Sequence, residues 1–403
     1  MRGTRNLISA EHVSVERVIH DVNTPLRILI TNACMEHYTG TEVVVRDLAL
    51  ELLRQGHLPI VYSPKLGTIA CEVQRAGVAV LSDLRDLTEP PDVIHGHHHF
   101  PVIQALLQFP KTPALYVSHD ATYRLDEPPV FPRIMQYIAV DERCRKRVEQ
   151  AVGLPPERIR IIANAVDLNR FRKRKPLPAR ARRAVVFSNY ANSQTHLPAV
   201  RKACRQLGLP LDVVGSGVGS ATETPEDVLP HYDIVFAKAR CALEAMTVGN
   251  AVVLCDFTGV GPIVTTGNFA ELRRWNFGAG VLVNPLRAEH LVIQVKAYDP
   301  SDSARVCELA RKDADLVSSV REWLSVYASV IDEYRRQTPP VENEYRALGV
   351  YLQRWHYEER VKWERLQLAR LEGIPVLGPP LSRFLQRAAK NRSIGRSKLS
   401  FQR

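Results

Sequence analysis

A single carboxylate in the second half of the sequence lies in apolar surroundings. Residues 236–256 read FAKARCALEAMTVGNAVVLCD, in which Glu244 stands between Leu243 and Ala245. Such neighbours favour an enclosed side chain, and an exposed glutamate on a surface helix is the alternative. The oxygens of an enclosed carboxylate can accept hydrogen bonds from vicinal hydroxyls such as those of ribose. Glu244 is therefore the first candidate binding residue.

The residues before Glu244 have the types and the spacing of a phosphate site. The run IVFAK ends a predicted strand, a short helix follows, and Gly249 is placed to end that helix. This strand–turn–helix arrangement aims the backbone N–H groups of residues 239–241 at a cleft, where the helix dipole favours an anion. Lys238 and Arg240 at the turn add charges that would neutralise a diphosphate. The sequence therefore predicts that a nucleoside diphosphate binds here.

Glycines elsewhere in the chain are further candidates for close approach to a ligand. Gly40, in HYTGT, would let the backbone approach a phosphate closely, and we assign Thr41 to the same contact. Gly215 and Gly217, in VVGSG, follow another predicted strand, and a tight turn is the alternative explanation for them.

Four histidines crowd the end of one predicted strand: His95, His97, His98 and His99. No carboxylate or cysteine stands in register with them, so we expect cleft lining or packing and no metal site. The run Ser-His-Asp at residues 118–120 is not a catalytic triad, because neighbouring strand residues point to opposite faces.

Two series of alternating strands and helices must position these residues. Residues 25–168 carry the strand candidates LRILITN, LPIVYS, VAVLS, PDVIHGH, PALYVSHD and YIAVD. Residues 184–335 carry AVVFSNY, LDVVGSG, YDIVFAK, AVVLCD and GAGVLV. This alternation predicts an α/β protein with two Rossmann-like domains. Ligands of open parallel sheets lie beyond the carboxyl ends of the strands, so both sets of loops should face one cleft.

The remaining segments frame these two domains. Residues 1–24 form a leader, and residues 169–183 form a basic linker rich in proline and arginine. Residues 336–373 are predicted as a helical extension, and residues 374–403 as a disordered basic tail. The long helix at 343–373 is a candidate for self-association, with packing on the body and contact with a membrane surface as alternatives.

The formal charge of +11 is concentrated in two segments. Residues 170–183 hold eight basic side chains and residues 382–403 hold seven, neither with an acid, so the rest of the chain has a charge of −4. No aromatic-interleaved platform accompanies this charge, which argues against a nucleic-acid protein. An anionic substrate or an anionic membrane surface is the candidate partner, and a solvated linker and tail are the alternative.

Composition and cysteine usage indicate the compartment. No apolar run approaches the ~18 residues that span a bilayer, and the N-terminus lacks the apolar core of a secretory signal. The seven cysteines show no C-x-x-C spacing. We therefore expect a cytoplasmic chain without disulfides or structural zinc, with peripheral contact at the inner membrane face through the basic tail as an option.

Together these markers resemble the GT-B fold glycosyltransferases, in particular the retaining glycosyltransferase family 4. LEAMTVGNAVVLCD is similar to the family run E-A-M-x-x-G-x-P-V-V, and GTEVVVRDLALELLRQGH is similar to its first glycine loop and helix. RIRIIANAVDLNRF resembles the segment that ends the first domain, and DVIHGHH and YVSHD match two further strands. The resemblance covers residues 25 to about 335 in the proper order.

This resemblance implies an enzyme that moves a sugar from a nucleotide-sugar donor to a glycan, lipid-linked or small-molecule acceptor. Retention of configuration, and catalysis without a metal or a cofactor, are implied with it. Glu244 would bind the donor ribose, the glycines of VVGSG would lie near the nucleotide, and His119 would contact the transferred sugar. The predicted catalytic residues are therefore His119, Lys238 and Arg240. The first domain would bind the acceptor and the second the donor.

The sequence also departs from the family pattern. Phe236 stands where relatives carry an acidic residue, eight positions before Glu244. The run FSNYANSQTH lacks the expected arginine and lysine, so Asn189 is assigned to the donor site and Lys238 and Arg240 are expected to substitute. A GT-B nucleotide-sugar epimerase and a non-catalytic nucleotide-sugar or glycan-binding protein are the alternatives.

Overall fold

The computed structural model describes residues 24–372, with side chains described up to residue 356. The predicted leader and the basic tail at residues 374–403 therefore lie outside the described part, apart from Thr24. Two compact units make up the described chain: residues 24–128 with 134–337, and residues 129–133 with 338–372.

The first sheet is parallel throughout and lies in the first compact unit. Its seven described strands are β1 (Arg27–Thr31), β2 (Leu58–Tyr62), β3 (Ala79–Leu81), β4 (Val93–His97), β5 (Ala114–Ser118), β6 (Ile134–Ala139) and β7 (Arg160–Ile161). They lie in the order β3-β2-β1-β4-β5-β6-β7. Its helices are α1 (Gly40–Arg54), α2 (Thr68–Arg75), α3 (His99–Gln108) and α4 (Glu142–Val152). Continuous apolar strands such as ILI in β1 are fully buried because helices cover both sheet faces. We call this part the first lobe.

The second lobe is built on a five-stranded sheet of the described residues. Its strands are β8 (Ala184–Phe187), β9 (Leu211–Val214), β10 (Ile234–Ala237), β11 (Ala251–Asp256) and β12 (Gly259–Ile263). Their order is β12-β11-β10-β8-β9, and only β12 runs antiparallel to its neighbour. Its helices are α5 (Leu197–Gln206), α6 (Pro225–Val228), α7 (Ala239–Val248), α8 (Phe269–Arg274) and α9 (Ala288–Lys296).

One predicted strand of the second lobe is wrong. GAGVLV was expected to form a strand, but it forms a single turn of 3₁₀ helix at Ala279–Val281. The edge strand is GVGPI, β12, whose glycines and proline indicate a turn at the level of sequence. Gly259 lies so close to the carbonyls of Leu282 and Asn284 that a side chain would clash there. The two segments therefore pack on each other, and GVGPI, not GAGVLV, forms the strand.

The chain then returns to the first lobe. α10 (Pro300–Asp313) is followed by α11 (Leu316–Arg336), which packs on α1 and on strands β4, β5 and β6. Where the chain passes between α10 and α11, Val166 N–H donates to the carbonyl of Ala314 at 2.8 Å, and Leu316 N–H donates to the carbonyl of Val166 at 3.1 Å. This return of the chain places Tyr327 of α11 in the first lobe, where it is fully buried.

About half of the charged side chains of the basic linker form ion pairs within the same chain. Four of its eight basic side chains pair with acids of the second lobe and α10: Arg170 with Glu226, Lys173 with Glu308, Arg174 with Asp233, and Arg183 with Asp212. These pairs give the linker a structural role. Neither of the two roles expected from the sequence, a solvated linker or a site for an anionic partner, would require them.

The second unit contains the helix α12 (Val341–Glu372), which confirms the helical extension. Arg133 holds its beginning, since Nε and Nη2 donate to the two oxygens of Glu344 at 2.5 and 2.9 Å. Among residues 24–372, no helix has the length and apolar content to cross a membrane. Self-association through this helix stays a prediction.

Candidate active site

The strand–turn–helix unit around Lys238 forms where the sequence predicts it. β10 ends at Ala237, α7 begins at Ala239, and Gly249 ends the helix with φ of +105°. Ala239 has φ of +49°, a left-handed conformation that non-glycine residues rarely adopt. Its N–H donates to the carbonyl of Phe277 at 2.8 Å. The prediction that this particular N–H is open to a phosphate is therefore wrong.

Glu244 is enclosed, with 5% of its surface exposed. Its Oε1 accepts a hydrogen bond from Arg240 Nε at 2.8 Å, one helical turn earlier. No hydrogen bond from the described part of the chain reaches Oε2. Burial raises the pKa of Glu244, and the charge of Arg240 opposes that rise. One oxygen of this carboxylate thus holds an arginine, and the other has no hydrogen-bond partner among the described residues.

Arg240 connects the two lobes through a cluster that we call the buried charge network: Arg46, Asp47, Arg240 and Glu244. Arg240 Nη2 pairs with Asp47 of α1, and Asp47 Oδ1 also accepts from Arg46 Nε and Nη2 at 2.8 and 2.6 Å. All four side chains are buried. Burial alone would raise the pKa of Asp47, but the charges of Arg240 and Arg46 hold it below its usual value. Two cations and two anions therefore neutralise one another.

This network changes the role expected of Arg240. The sequence predicts that Arg240 neutralises a diphosphate, but its charge is already balanced by Asp47 and Glu244. The remaining described bond of its guanidinium goes from Nη1 to the carbonyl of Ala165, at 3.3 Å. In this structure Arg240 orients Glu244 and is not an unpaired cation.

Lys238 lies closer than Arg240 does to the role predicted for both, that of a cation at the start of α7. It precedes α7, and its Nζ pairs with Asp256, the last residue of β11. Asp256 is fully buried, while the side chain of Lys238 is 24% exposed. Sequence reasoning missed Asp256, although an acid that ends a buried strand is a signal for it. Of the two predicted cations, Lys238 is the one with an accessible ammonium group.

Three histidines of the first lobe form a cluster that we call the histidine row: His95, His97 and His119. His97 Nδ1 lies 2.6 Å from His119 Nε2, and the rings of His95 and His97 stack with centroids 4.6 Å apart. His95 Nδ1 lies 2.7 Å from the hydroxyl of Tyr327. Burial lowers the pKa of His95 and of His119 to about 3, and that of His97 well below its usual value. The row is therefore uncharged at neutral pH.

The turn that carries His119 is held by Asp126, which sequence reasoning also missed. Asp126 Oδ2 accepts from the N–H of His119 at 2.6 Å and from the N–H of Asp120. Burial raises the pKa of Asp126 to about 8. Side-chain and backbone bonds thus fix His119 from two directions.

We predict that stability falls steeply below pH 6.5 because of the histidine row. The folded pKa values lie below the usual 6.5, so the unfolded chain takes up protons that the folded chain does not bind. This stability is complete above pH 6.5 and is lost as the pH falls towards about 3, by about 1.4 kcal/mol per pH unit for each histidine. Thermal unfolding followed between pH 7.5 and pH 4.5 measures the loss.

A pair of variants separates this effect from general acid unfolding. His95→Gln should make the pH dependence shallower, because it removes one buried titrating group. His231→Gln, at an exposed position, should leave it unchanged. Identical pH profiles for the two variants and the unchanged protein would contradict the assignment.

The histidine row and two members of the buried charge network, Asp47 and Arg240, line one cavity between the lobes. Its polar lining comes from both sides: His95, His97, His119, Asp47, Asn164, Ser319 and Arg240. The cavity measures about 30 Å³, room for about two water molecules. Nε2 of His95 and Nε2 of His97 are buried without a hydrogen-bond partner among the described residues. The fold therefore brings His119 and Arg240 to one place, as the sequence predicts. Within residues 24–372, no group of three or more His, Cys, Asp or Glu side chains is arranged to hold a metal.

The predicted glycine contacts divide into two kinds. A side chain at Gly215 or Gly217 would clash with the backbone carbonyls of Ser188 or Ala191, so the tight packing of two loops accounts for both glycines. Gly40 is exposed at the start of α1 beside Thr41, and the space where its side chain would stand is open.

Asn189 links these loops to the other lobe. Its Oδ1 accepts from the N–H of Ser216 at 3.1 Å, and its Nδ2 donates to the carbonyl of Tyr38 at 3.3 Å. Asn189 thus lies between the lobes near the Gly40 loop, where the sequence predicts a donor contact.

Comparison with known proteins agrees with this architecture. Residues 38–170 match the model of the family described as Glycosyltransferase Family 4. The crystal structure of a glycosyltransferase from Rickettsia africae has a TM-score of 0.55 at 14% identity, covering 76% of this chain and 99% of that one. Anabaena HepE in complex with UDP and glucose also has a TM-score of 0.55 at 14% identity, covering 75% of this chain and 100% of HepE. No curated protein sequence matches the chain.

Proposed function

We propose that this glycosyltransferase, a GT-B protein that diverges from family 4, moves a sugar from a nucleoside diphosphate sugar to a glycan, lipid-linked or small-molecule acceptor. The observation that supports this most is the enclosed Glu244. Its Oε1 holds Arg240, which lines the cavity between the lobes, and its Oε2 accepts no hydrogen bond from the described residues. A carboxylate in this position can accept hydrogen bonds from the two vicinal hydroxyls of a ribose.

The donor would lie along α7. With its ribose at Glu244, the diphosphate reaches the start of the helix, where the dipole and Lys238 favour negative charge. Arg240 acts here by orienting Glu244. From the first lobe, the open position at Gly40 allows the backbone and Thr41 to approach the same phosphates. Asn189 connects the loops of both lobes at this point.

His119 would hold a hydroxyl of the transferred sugar. Because the histidine row is uncharged, His119 acts through a hydrogen bond and not through a charge. When the bond between the anomeric carbon and the phosphate oxygen breaks, negative charge develops on the diphosphate. Lys238 and the N–H groups of Arg240 and Cys241 at the start of α7 stabilise that charge without a metal ion. Retention of configuration enters this proposal from the family resemblance.

The first donor to test is a UDP-hexose, because the structure of HepE contains UDP and glucose. A thermal-shift panel of UDP-glucose, GDP-mannose and dTDP-glucose tests the proposal directly. A ligand at 100 times its Kd stabilises the folded state by about 2.7 kcal/mol, which raises Tm by several degrees. One of the three is expected to give such a shift, and no shift with any of them would contradict the proposal.

Incubation of the stabilising donor without an acceptor separates the transferase from the epimerase alternative. A transferase should leave the sugar of the donor unchanged apart from slow hydrolysis. Conversion of the donor into its epimer would contradict transfer as the main activity.

A further inference from the structure

The strand order of the second lobe places three residues side by side at its carboxyl edge. Strands β11, β10 and β8 are neighbours, and all three run parallel. Phe257 directly follows β11, Lys238 directly follows β10, and Tyr190 lies three residues after the end of β8. These side chains therefore meet at the edge where ligands of open parallel sheets bind.

Two aromatic rings flank the ammonium group of Lys238. Its Nζ lies 5.1 Å from the ring centroid of Tyr190 and 5.2 Å from that of Phe257. The two rings are 5.8 Å apart in an edge-to-face arrangement. Asp256 holds Nζ from the buried side. The position of the ammonium group is thus fixed by a carboxylate below and by two rings beside it.

Both rings have about half of their surface exposed. Tyr190 is 58% exposed and Phe257 is 48% exposed, and neither belongs to the two hydrophobic clusters that form the core of the second lobe. Exposed aromatic surface beside a few fixed polar groups is typical of a ligand site.

Asp120, a carboxylate of the first lobe, interacts electrostatically with Lys238. Burial alone would raise the pKa of Asp120, but hydrogen bonds from Thr122 and Tyr123 and the charge of Lys238 hold it below its usual value. Those hydrogen bonds all go to Oδ1. The described residues donate no hydrogen bond to Oδ2. Asp120 also adjoins His119, the predicted sugar contact.

We propose that Tyr190 and Phe257 form a platform for the hexose ring of the donor. One face of a pyranose carries C–H bonds that are attracted to the negative face of an aromatic ring, while its hydroxyls can bind Lys238 Nζ and Asp120 Oδ2. This proposal rests on the proposed function. It adds two specificity-determining residues and assigns a chemical class, a hexopyranose, to their subsite.

The order of groups in a nucleotide sugar favours the hexose over the base at this place. Base, ribose, diphosphate and hexose follow one another in the donor. With the ribose at Glu244 and the diphosphate at the start of α7, the group that extends beyond Lys238 is the hexose. A base that stacked on Tyr190 would need the donor to lie in the opposite direction.

Calorimetric titration of Tyr190→Ala with UDP-glucose and with UDP tests whether the hexose lies at Tyr190. If the thermal-shift panel selects another nucleotide sugar, that sugar and its free nucleoside diphosphate are used instead. The affinity for the nucleotide sugar should fall about tenfold, whereas the affinity for the free nucleoside diphosphate should change less than about twofold. Tyr190→Phe should behave like the unchanged protein, because it keeps the ring. Tyr345→Ala, which removes an exposed tyrosine from α12, is the matched control.

The outcomes distinguish this proposal from the proposed function. Equal losses for the nucleotide sugar and the free nucleotide, or no loss for either, overturn the hexose platform while donor binding itself stands. Failure of the unchanged protein to bind any of the nucleotides overturns the proposed function, and the platform with it. Phe257→Ala should repeat the selective loss.

Discussion

Glu244→Ala is expected to lower the affinity for the nucleoside diphosphate at least ~100-fold. A charge-assisted hydrogen bond to a carboxylate contributes about 1.5–3 kcal/mol, and the ribose would lose two of them. Glu244→Gln keeps the shape and one acceptor, so its loss should be about tenfold. Calorimetric titration with UDP, or with the nucleotide selected by the thermal-shift panel, measures both values.

The matched control for this prediction is Glu289→Ala. Glu289 lies on α9 of the same lobe, and its exposed side chain pairs with Lys202 at the surface. Its removal should leave nucleotide affinity unchanged. If Glu244→Ala bound the nucleotide as well as the control does, Glu244 would have only the structural role of pairing with Arg240.

Asp47→Ala is expected to destabilise the protein by about 3–5 kcal/mol, which lowers Tm on the order of 10 °C. The substitution leaves the buried Arg46 with only the more distant Glu72 and the buried Arg240 with only Glu244, and incompletely paired buried charge is costly. Asp47→Asn should lose less, because its amide oxygen still accepts hydrogen bonds from one of the two guanidinium groups. Scanning calorimetry at pH 7.5 measures the loss.

Asp212→Ala serves as the comparison for this loss. Asp212 also pairs with an arginine, Arg183, but both side chains are about half exposed, and such surface pairs contribute about 1 kcal/mol or less. Similar small shifts for Asp47→Ala and Asp212→Ala would show that the buried charge network does not hold the lobes together.

The fold follows from features that are local in sequence. Continuous apolar runs such as RILIT and AVVLCD form buried parallel strands, and the predicted GT-B fold and the resemblance to family 4 are both confirmed. The enclosed position of Glu244 follows from the apolar residues around it. A strand such as GVGPI could not be recognised in this way, because its backbone is positioned by contacts with residues far along the chain.

The charge pairing could not be predicted for a similar reason. Asp47 stands in EVVVRDLALELL among alternating charged and apolar residues, which indicates an ordinary amphipathic helix. Its pairing with Arg240 depends on how the two lobes meet, and helix periodicity contains no information on that. Lys238 and Asp256 are likewise joined only because β10 and β11 are neighbours.

The departure at Phe236 has a structural explanation. This residue is fully buried in β10 and belongs to one of the two core clusters of the second lobe. An acid would be unpaired in that position and costly to bury. The chain therefore lacks an acidic group at this strand position. The carboxylates that act on Lys238 are Asp256, which pairs with its Nζ, and Asp120 of the first lobe, whose pKa the charge of Lys238 helps to lower.

A crystal structure of the complex with the nucleoside diphosphate that stabilises the protein most would test the central claim directly. We expect the ribose hydroxyls within hydrogen-bond distance of Glu244 Oε2, and the diphosphate beside Lys238 at the start of α7. A nucleotide bound elsewhere on the protein, with Glu244 still enclosed and paired only with Arg240, would contradict the account.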